Sequence, residues 1–248
     1  MLVNNSCKYK AGARHGRLIT RIAELGEMEN WEQISVWRKQ QRAELITHRE
    51  AVPAAQRQEW NNAMTSFLVT AFAPLAGVTI GFCWPYRNEF DARFAVRHFR
   101  EHGSSAALPA VINKSSPLQF RKWWPGAPMT PGVYGIPVPE GTETVIPDAM
   151  IVPMNGFDEQ GYRLGYGGGY FDMTLAAAAP RPLLIGTGYE FSRLPSIYPQ
   201  PHDIAMEFIV TESGIYLAGG ASLMPIDRAE CAGLVRRALA ERSNHAAQ

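Results

Sequence analysis

The amino-acid sequence predicts an α/β fold in which a mainly parallel sheet is sandwiched between helices. Two observations lead to this prediction. First, the chain contains five short apolar runs, at residues 78–82, 108–112, 150–152, 183–186 and 208–210. Second, longer segments with helical character lie between several of these runs. Continuous apolar strands that alternate with helices are typical of parallel sheets covered on both faces.

The predicted helices follow from their caps and their composition. The first spans residues 31–49, and Asn30 is its predicted N-cap because asparagine accepts hydrogen bonds from first-turn amides. The second begins at Pro53, a residue suited to a first helical turn, and ends near residue 73. Three further helices are predicted at residues 90–102, 169–179 and 226–242. Residues 115–147 are rich in Pro, Gly and Trp, and predict a small hairpin or loop layer over one edge of the sheet.

The N-terminal segment differs from the rest of the chain in composition. Its first 23 residues contain no Asp or Glu, but they include five basic residues, Lys8, Lys10, Arg14, Arg17 and Arg21. We predict a disordered basic tail over residues 1–29, with an organellar transit peptide as the alternative. Residues 30–248 are predicted to form a single α/β domain.

Composition narrows the class of protein. The formal net charge of +1 argues against general electrostatic capture of nucleic acid or of an acidic membrane. No apolar stretch approaches the roughly 18 residues that span a bilayer. The three cysteines, Cys7, Cys83 and Cys231, are too few and too scattered for a disulfide framework, which fits a reducing compartment. We therefore expect a cytoplasmic protein that binds a small molecule and has no nucleic-acid or membrane partner. We expect a monomer, with an oligomer as the alternative.

The strongest chemical signal is a glycine-rich loop between Arg163 and Asp172. Its glycines allow backbone amides to approach a ligand closely, and a predicted helix follows whose first-turn amides add affinity for anions. Arg163 can bind a phosphate oxygen through its guanidinium, and Asp172 can bind a Mg²⁺ ion that the phosphates share. The loop therefore predicts a phosphate site. The alternative is a tight strand-to-helix turn in which Asp172 caps the helix.

Three arginines on the first predicted helix form a basic stripe. Arg38, Arg42 and Arg49 fall within an arc of about 40° at 100° per residue. The stripe lies beside the apolar side of the helix, from which its side chains can reach a nucleotide pocket. The alternative is a solvated charged face.

Two loops carry further candidate residues. Residues 82–91 leave the end of a predicted parallel strand, where ligands collect in α/β folds. There Trp84 and Tyr86 can stack on a planar heterocycle and Glu89 can accept hydrogen bonds; alternatively, Glu89 caps the next helix and the aromatic rings pack in the core. His202 and Asp203 can serve a metal or a proton transfer, or be structural. No serine or cysteine has a context that predicts covalent catalysis.

Together these segments resemble the 5-formyltetrahydrofolate cyclo-ligase family, also called 5,10-methenyltetrahydrofolate synthetases. The resemblance extends from about residue 36 to residue 216. It depends most on the sequence Arg163-Leu-Gly-Tyr-Gly-Gly-Gly-Tyr-Phe-Asp172. Further matching segments are the helix with Arg38 and Arg42, Glu89-Phe-Asp91, Leu108-Pro-Ala-Val111, Gly135-Ile-Pro-Val-Pro139, Phe157-Asp158, His202-Asp203 and Val210-Thr-Glu212.

The resemblance implies an ATP-dependent ring closure within an α/β sandwich of the NagB/RpiA/CoA-transferase-like type. In this reaction the formyl oxygen of 5-formyltetrahydrofolate attacks the γ-phosphate of MgATP. The neighbouring folate amine captures the imidate phosphate, and phosphate leaves to give 5,10-methenyltetrahydrofolate. The alternative is a non-catalytic paralogue that binds nucleotide or folate and has a regulatory role.

The resemblance also implies roles for individual residues. Nucleotide-binding residues would be Arg38, Arg42, Arg163, Leu164, Gly165, Tyr166, Gly167, Gly168, Gly169 and Tyr170, with Arg163 and Tyr170 also catalytic. Folate-binding residues would be Trp84, Glu89 and Tyr134, and Mg²⁺ ligands would be Asp172 and Asp203. The chain departs from the usual family residues at four positions, Arg38 (Lys in the family), Val138 (Glu), Phe171 (Tyr) and Met173 (a basic residue).

Overall fold

The structure, a computed structural model, describes residues 30–246 of the chain. The predicted basic tail at residues 1–29 and Cys7 within it lie outside the described residues. By Cα packing the chain divides into residues 1–37 and residues 38–248. Residues 30–37 contribute only the N-cap and the start of the first helix, and the sheets, the other helices and the candidate site lie within residues 38–248. Within residues 30–246, no helix is both long enough and apolar enough to cross a membrane.

The described residues form thirteen strands and five α-helices. The strands are β1 (Thr79–Phe82), β2 (Ser105–Ala110), β3 (Gln119–Trp123), β4 (Met129–Pro131), β5 (Pro137–Pro139), β6 (Ala149–Pro153), β7 (Gly156–Asp158), β8 (Arg163–Leu164), β9 (Leu183–Thr187), β10 (Arg193–Leu194), β11 (Phe208–Thr211), β12 (Gly214–Leu217) and β13 (Met224–Ile226). The helices are α1 (Trp31–Ala51), α2 (Ala54–Ala71), α3 (Arg93–Glu101), α4 (Tyr170–Ala177) and α5 (Arg228–Ala246). Each of the five predicted strands and five predicted helices is present, with ends shifted by a few residues.

The central sheet has eight strands in the order β13-β12-β11-β9-β6-β1-β2-β3. The five inner strands, from β11 to β2, are parallel to one another, and they are the five apolar runs that the sequence predicts. The edge strands are antiparallel, β3 at one edge and the β12–β13 hairpin at the other. The sheet is therefore mixed, with a parallel centre.

The two faces of the sheet are covered unequally. Helices α2, α3 and α5 pack on one face, where Leu68, Phe99 and Val235 are buried against the sheet. On the other face, helix α4 contributes Leu175, and loop residues such as Met206 complete the cover. The predicted helical sandwich is therefore correct in outline, but one of its layers consists largely of loops.

A second, smaller sheet lies beneath helix α1. Its order is β10-β7-β8, and Asp158 fixes the turn between β7 and β8 by accepting hydrogen bonds from the amides of Gln160 and Tyr162 at 3.0 Å each. Leu45 of α1 contacts Gly156 of this sheet so closely that a Cβ there would lie 2.8 Å from its Cδ1. This small sheet was not predicted from the sequence, and it brings α1 next to the glycine-rich loop that follows β8.

The predicted N-cap and hairpin layer are also present. The side chain of Asn30 accepts a hydrogen bond from the amide of Gln33 at 3.0 Å, as expected of an N-cap. Residues 115–147 contain strand β3 and the separate β4–β5 hairpin, which packs near β2 and β3. The hairpin layer therefore covers the β3 edge of the central sheet.

Candidate functional site

Several loops meet at one edge of the parallel strands. Strands β1, β6 and β9 end at Phe82, Pro153 and Thr187. Because these strands are parallel, the loops that follow them leave from the same edge of the sheet. Glu89 lies in the loop after β1 and Asn155 in the loop after β6. The glycine-rich loop after β8 and the basic stripe of α1 complete this group.

The glycine-rich loop requires glycine at several positions. Gly167 and Gly169 adopt φ angles of 91° and 65°, which side chains disfavour. A Cβ at Gly168 would lie 2.7 Å from the ring of Tyr170, so a side chain at this position would force that ring to move. Leu164 is buried in β8, whereas residues 166–169 are exposed. The loop thus presents a backbone surface to solvent directly before helix α4.

The carboxylate of Asp172 does not cap helix α4. It accepts a hydrogen bond from the amide of Ile204 at 3.1 Å and pairs with Arg163 at 3.0 Å. Residue Gly169 precedes the helix and no side chain caps it. The capping alternative for Asp172 is therefore wrong, because the loop after Tyr198 lies close enough to take its carboxylate.

Arg163 is a buried cation in a fixed position. Its guanidinium donates to the carbonyl of Ile204 at 3.1 Å and lies 5.4 Å from the centre of the Phe171 ring. Burial lowers the pKa of Arg163, and the nearby Asp172 carboxylate opposes this shift. The phenylalanine at position 171 therefore packs against the arginine as a cation–π partner.

Arg38 and Asp203 form a second arginine–aspartate pair. Their closest atoms, Nη2 and Oδ2, are 2.6 Å apart, and both side chains are about nine-tenths buried. Arg38 also donates to the carbonyls of Ile197 and Tyr198 at 2.9 Å each. Burial by itself raises the pKa of Asp203, but hydrogen bonds from Arg38 and the Gln200 amide outweigh burial and lower it. This pair fixes the predicted His202-Asp203 loop to helix α1.

Arg42 differs from these two arginines because no carboxylate balances its charge. Its Nε donates a hydrogen bond to the carbonyl of Gly165, and it makes no ion pair within residues 30–246. Its guanidinium lies 3.4 Å from the position a Cβ would take on Gly167. Burial and the charge of Arg38 both lower the pKa of Arg42. The structure therefore places an uncompensated cation against the exposed glycine loop.

Glu89 accepts hydrogen bonds from two sides. Its carboxylate takes the Tyr86 amide at 3.0 Å and the Tyr166 hydroxyl at 2.9 Å, and its side chain is 4% exposed. Burial raises the pKa of Glu89, and the nearby Arg49 opposes this shift. Helix α3 follows Ala92 without any side-chain cap. The alternative that Glu89 caps this helix is therefore wrong.

The aromatic residues of the site divide into two groups. The ring of Tyr86 lies 5.7 Å from that of Tyr166 and 6.5 Å from that of Tyr134, which is 73% exposed. The ring of Trp84 has other partners: the guanidinium of Arg93 lies 4.5 Å from its centre, and the ring of Trp123 lies 6.2 Å away. Three tyrosines therefore surround the side of the site that holds Glu89, and Tyr166, predicted with the nucleotide residues, directs its hydroxyl to that side.

Arg49 and Asn155 connect these parts. Arg49 was predicted only as a member of the basic stripe, without a role in the site of its own, and Asn155 was not predicted. The guanidinium of Arg49 donates to the Asn155 side-chain oxygen, to the Tyr166 hydroxyl and to the Arg87 carbonyl, each at 2.9 Å. Its position in the basic stripe was the signal that could have identified Arg49. No pattern in the sequence distinguishes Asn155.

The carboxylates of the site do not form a metal cage. Within the described part of the chain, no three His, Cys, Asp or Glu side chains are grouped so that they could hold a metal ion. Asp172 and Asp203 instead each bind an arginine.

Comparisons with known proteins agree on one family. The profile of the family described as "5-formyltetrahydrofolate cyclo-ligase family" matches residues 34–212. A Mycolicibacterium smegmatis protein named 5-formyltetrahydrofolate cyclo-ligase is 29% identical over 183 residues, covering 70% of this chain and 93% of the relative. A Haemophilus influenzae protein of the same name is 22% identical, covering 68% of this chain and 94% of the relative.

Two solved structures share the fold. The 5,10-methenyltetrahydrofolate synthetase of Aquifex aeolicus is 24% identical with a TM-score of 0.65, covering 75% of this chain and 95% of the other. The 5,10-methenyltetrahydrofolate synthetase of Mycoplasma pneumoniae is 22% identical with a TM-score of 0.59, covering 71% of this chain and 98% of the other. The central mixed sheet and its helices thus recur in proteins that align with most of this chain.

Proposed function

The chain belongs to the 5-formyltetrahydrofolate cyclo-ligase family, and from this premise we propose that it closes 5-formyltetrahydrofolate to 5,10-methenyltetrahydrofolate with ATP. The enzymatic reading is favoured over a non-catalytic paralogue, because the relatives that align over nearly their whole length carry the name of the enzyme. The reaction is a phosphoryl transfer followed by ring closure. It needs positioning and charge neutralisation rather than a covalent nucleophile.

The observation that carries the ATP part of the proposal is the uncompensated charge of Arg42. A partly buried cation without a carboxylate partner gains stability when an anion binds next to it. The backbone of Gly167 lies next to this cation, and the exposed residues 166–169 lead directly into helix α4, whose first-turn amides favour the same kind of ligand. A nucleotide triphosphate is an anion that fits this combination.

The remaining nucleotide contacts follow from the same geometry. Arg38 and Arg163 add positive charge beside Arg42, although each is already paired with an aspartate. We assign the phosphates to Arg42 and to the backbone of Gly165 and residues 166–169. Arg163 serves as the catalytic cation, which stabilises charge that develops during phosphoryl transfer. Tyr170 is assigned beside it, at the first position of α4.

The donors present fit a Mg²⁺ ion that arrives with ATP. Magnesium is usually held by one or two carboxylates together with substrate phosphates and water, so the absence of a larger acidic group is compatible with it. Asp172 and Asp203 would be its protein ligands, with oxygen lone pairs left beyond their arginine contacts. The ion would neutralise phosphate charge when bound.

The folate part of the proposal uses the other side of the site. The Glu89 carboxylate can accept hydrogen bonds from ring nitrogens of the folate, and Tyr134 offers an exposed ring on which the folate can stack. Trp84 can contribute only through the parts of its ring that Arg93 leaves open. Tyr86, between Tyr134 and Tyr166, joins this group.

The finer assignments complete the proposal. The fold is assigned to the NagB/RpiA/CoA-transferase-like group, on the basis of its five-stranded parallel centre with helices on both faces. Residues 30–248 are assigned to one domain. The protein is assigned to the cytoplasm on the basis of its scattered cysteines, and we propose a monomer, with an oligomer as the alternative.

The test is an absorbance assay for methenyl-folate formation from 5-formyltetrahydrofolate with MgATP. We expect product to form only when ATP and the protein are both present, with one ADP released for each ring closed. Reactions with a non-hydrolysable ATP analogue, or with EDTA in place of Mg²⁺, serve as controls and should give no product. ATP-independent product, or none at all from folded protein, would contradict the proposal.

A further inference from the structure

Arg49 is buried more completely than a solvated arginine of a basic stripe would be. Its residue exposure is 3%, although arginine is rarely buried unless it is paired. Its closest carboxylate is that of Glu89, at 3.9 Å, too far for a direct hydrogen bond. A cation placed here costs desolvation free energy. The hydrogen bonds that the Arg49 guanidinium makes at this buried position indicate its role.

Those contacts join three separate segments of the chain. Arg49 on α1 donates to Asn155 in the loop after β6 and to the hydroxyl of Tyr166 in the glycine loop. It also donates to the carbonyl of Arg87, which lies inside the Tyr86–Glu89 turn. Because the guanidinium is a planar fork with fixed donor directions, it sets the relative positions of all three segments.

The hydrogen bond from Arg49 also orients the Tyr166 hydroxyl. This hydroxyl has one proton to donate and accepts the N–H of Arg49 at 2.9 Å. Its proton is therefore directed to the other close partner, the Glu89 carboxylate, also at 2.9 Å. The chain Arg49–Tyr166–Glu89 thus leaves the second carboxylate oxygen, held by the Tyr86 amide, in a defined place.

We infer that Arg49 is a positioning residue that holds Glu89 and Tyr166 in the geometry that binds the folate substrate. The inference rests on the proposed function, because it concerns the substrate side of that same site. Asn155, which is 3% exposed, supports Arg49 because its side-chain oxygen accepts a hydrogen bond from the guanidinium. Among the described residues the side-chain nitrogen of Asn155 has no hydrogen-bond partner, so the side chain is held through its oxygen, which accepts the hydrogen bond from Arg49.

The test separates the Michaelis constants of the two substrates. Arg49→Lys keeps the charge but loses the fork, so the KM for 5-formyltetrahydrofolate should rise about tenfold while the KM for ATP stays within about twofold. Tyr166→Phe should raise the folate KM by a similar factor. If Arg49 acts through Tyr166, the double variant should exceed the larger single effect by no more than about twofold.

Two further variants guard against a purely structural explanation. Asn155→Ala leaves Arg49 in place but removes one acceptor, and should raise the folate KM about threefold. Arg242 lies on helix α5, outside the site, and pairs with Glu207 at 2.6 Å. Arg242→Met should therefore leave both KM values unchanged. Urea unfolding of each variant reports its stability.

The outcomes are distinct from those of the proposed function. An additive double variant, with about a hundredfold rise in folate KM, would show that Arg49 acts independently of Tyr166 and overturn the inference. Equal rises in both KM values, or an unchanged folate KM in Arg49→Lys, would overturn it too. Calorimetric binding of 5-formyltetrahydrofolate is measured in parallel. Failure of the wild type to make product refutes the proposed function, while the dissociation constants of the variants still decide the role of Arg49.

Discussion

The two sides of the candidate site balance their charges in different ways. On the nucleotide side, Arg38 and Arg163 are paired with aspartates, but Arg42 has no acidic partner within the described residues. On the folate side, the buried carboxylate of Glu89 receives hydrogen bonds and lies 3.9 Å from the Arg49 guanidinium. The nucleotide side thus has an excess of positive charge, whereas on the folate side the charges of Glu89 and Arg49 nearly compensate each other.

The difference indicates how each side binds its ligand. An uncompensated cation gains most from a strongly charged anion, which suits the nucleotide phosphates. A buried carboxylate that already accepts hydrogen bonds is stabilised little by a further charged group. It instead offers a ligand a hydrogen-bond acceptor in a fixed orientation. The nucleotide side should therefore respond to changes in charge, and the folate side to changes in geometry. The four predictions below test this contrast, starting with the largest effect.

The largest effect should come from breaking the buried pair of Arg163 and Asp172. In Asp172→Asn the guanidinium of Arg163, whose side chain is 5% exposed, loses its closest carboxylate. Removing one partner of a buried pair leaves an uncompensated charge, so the free energy of unfolding should fall by about 3 kcal/mol. Urea unfolding measures it.

A matched control is Asp227→Asn at the start of helix α5. There the aspartate is exposed and accepts a hydrogen bond from the Glu230 amide, which Asn can replace at little cost. Equal, small losses in the two variants would show that the pair of Asp172 with Arg163 contributes nothing to stability.

The second prediction concerns the surface of the glycine loop. In Gly168→Val the new side chain would meet the ring of Tyr170 at 2.7 Å and cover the backbone that faces solvent. Nucleotide affinity should fall by about a hundredfold, equivalent to about 2.7 kcal/mol. The measurement is calorimetric titration with a non-hydrolysable ATP analogue. Gly214→Val, at a strand position with open space around the glycine, is the control and should bind nucleotide normally.

The third prediction separates function from stability at Arg42. Methionine keeps much of the apolar stem but removes the cation, so Arg42→Met should weaken nucleotide binding about tenfold. Because burial and Arg38 already disfavour this charge, the free energy of unfolding should change by less than about 0.5 kcal/mol or increase. Titration and urea unfolding of the same sample give both values. A marked loss of stability with unchanged affinity would mean that Arg42 is structural.

The smallest effect is a pH dependence at Glu89. Burial raises the folded-state pKa of this carboxyl, with Arg49 opposing the shift and Cys83, Tyr166 and Tyr189 also close to it. The folded state therefore binds the Glu89 proton more tightly than the unfolded state does. The resulting contribution to the free energy of unfolding is fully present below the ordinary pKa of about 4.3, and it is lost as the pH rises through the raised folded-state pKa.

This linkage is measured against a variant that does not titrate. The free energy of unfolding of Glu89→Gln, relative to wild type, should improve as the pH rises from about 5 to about 7.5. Urea unfolding at both values measures the difference. A relative stability that falls over this range would mean that Arg49 dominates over burial.

The sequence predicts the centre of the fold better than the site. The parallel strands are visible because burial on both faces makes them continuous apolar runs, as at residues 183–186. The small sheet under α1 is not visible, because its strands are two or three residues long and carry no period. The glycine loop could be recognised because its backbone needs left-handed angles that few other residues adopt.

The partners of the charged residues lie beyond what spacing can predict. The sequence shows the stripe of Arg38, Arg42 and Arg49 as an arc on one helix. It does not show which partners these arginines have in the folded protein. That depends on Asp203, which is 165 positions from Arg38 in the chain, and on Asn155, 106 positions from Arg49. Such distant pairs are set by the tertiary fold. The charged residues of the site can therefore be predicted from the sequence, whereas the pairs that they form cannot.

The same separations have a consequence for biosynthesis. The ribosome adds about 5–20 residues per second, so roughly ten to thirty seconds pass between the synthesis of Arg38 and that of Asp203, 165 positions later. During that interval the nascent helix exposes a basic face whose acidic partner has not yet been made. The site therefore assembles late, because the ion pair between Arg38 and Asp203 can form only after both residues have been synthesised.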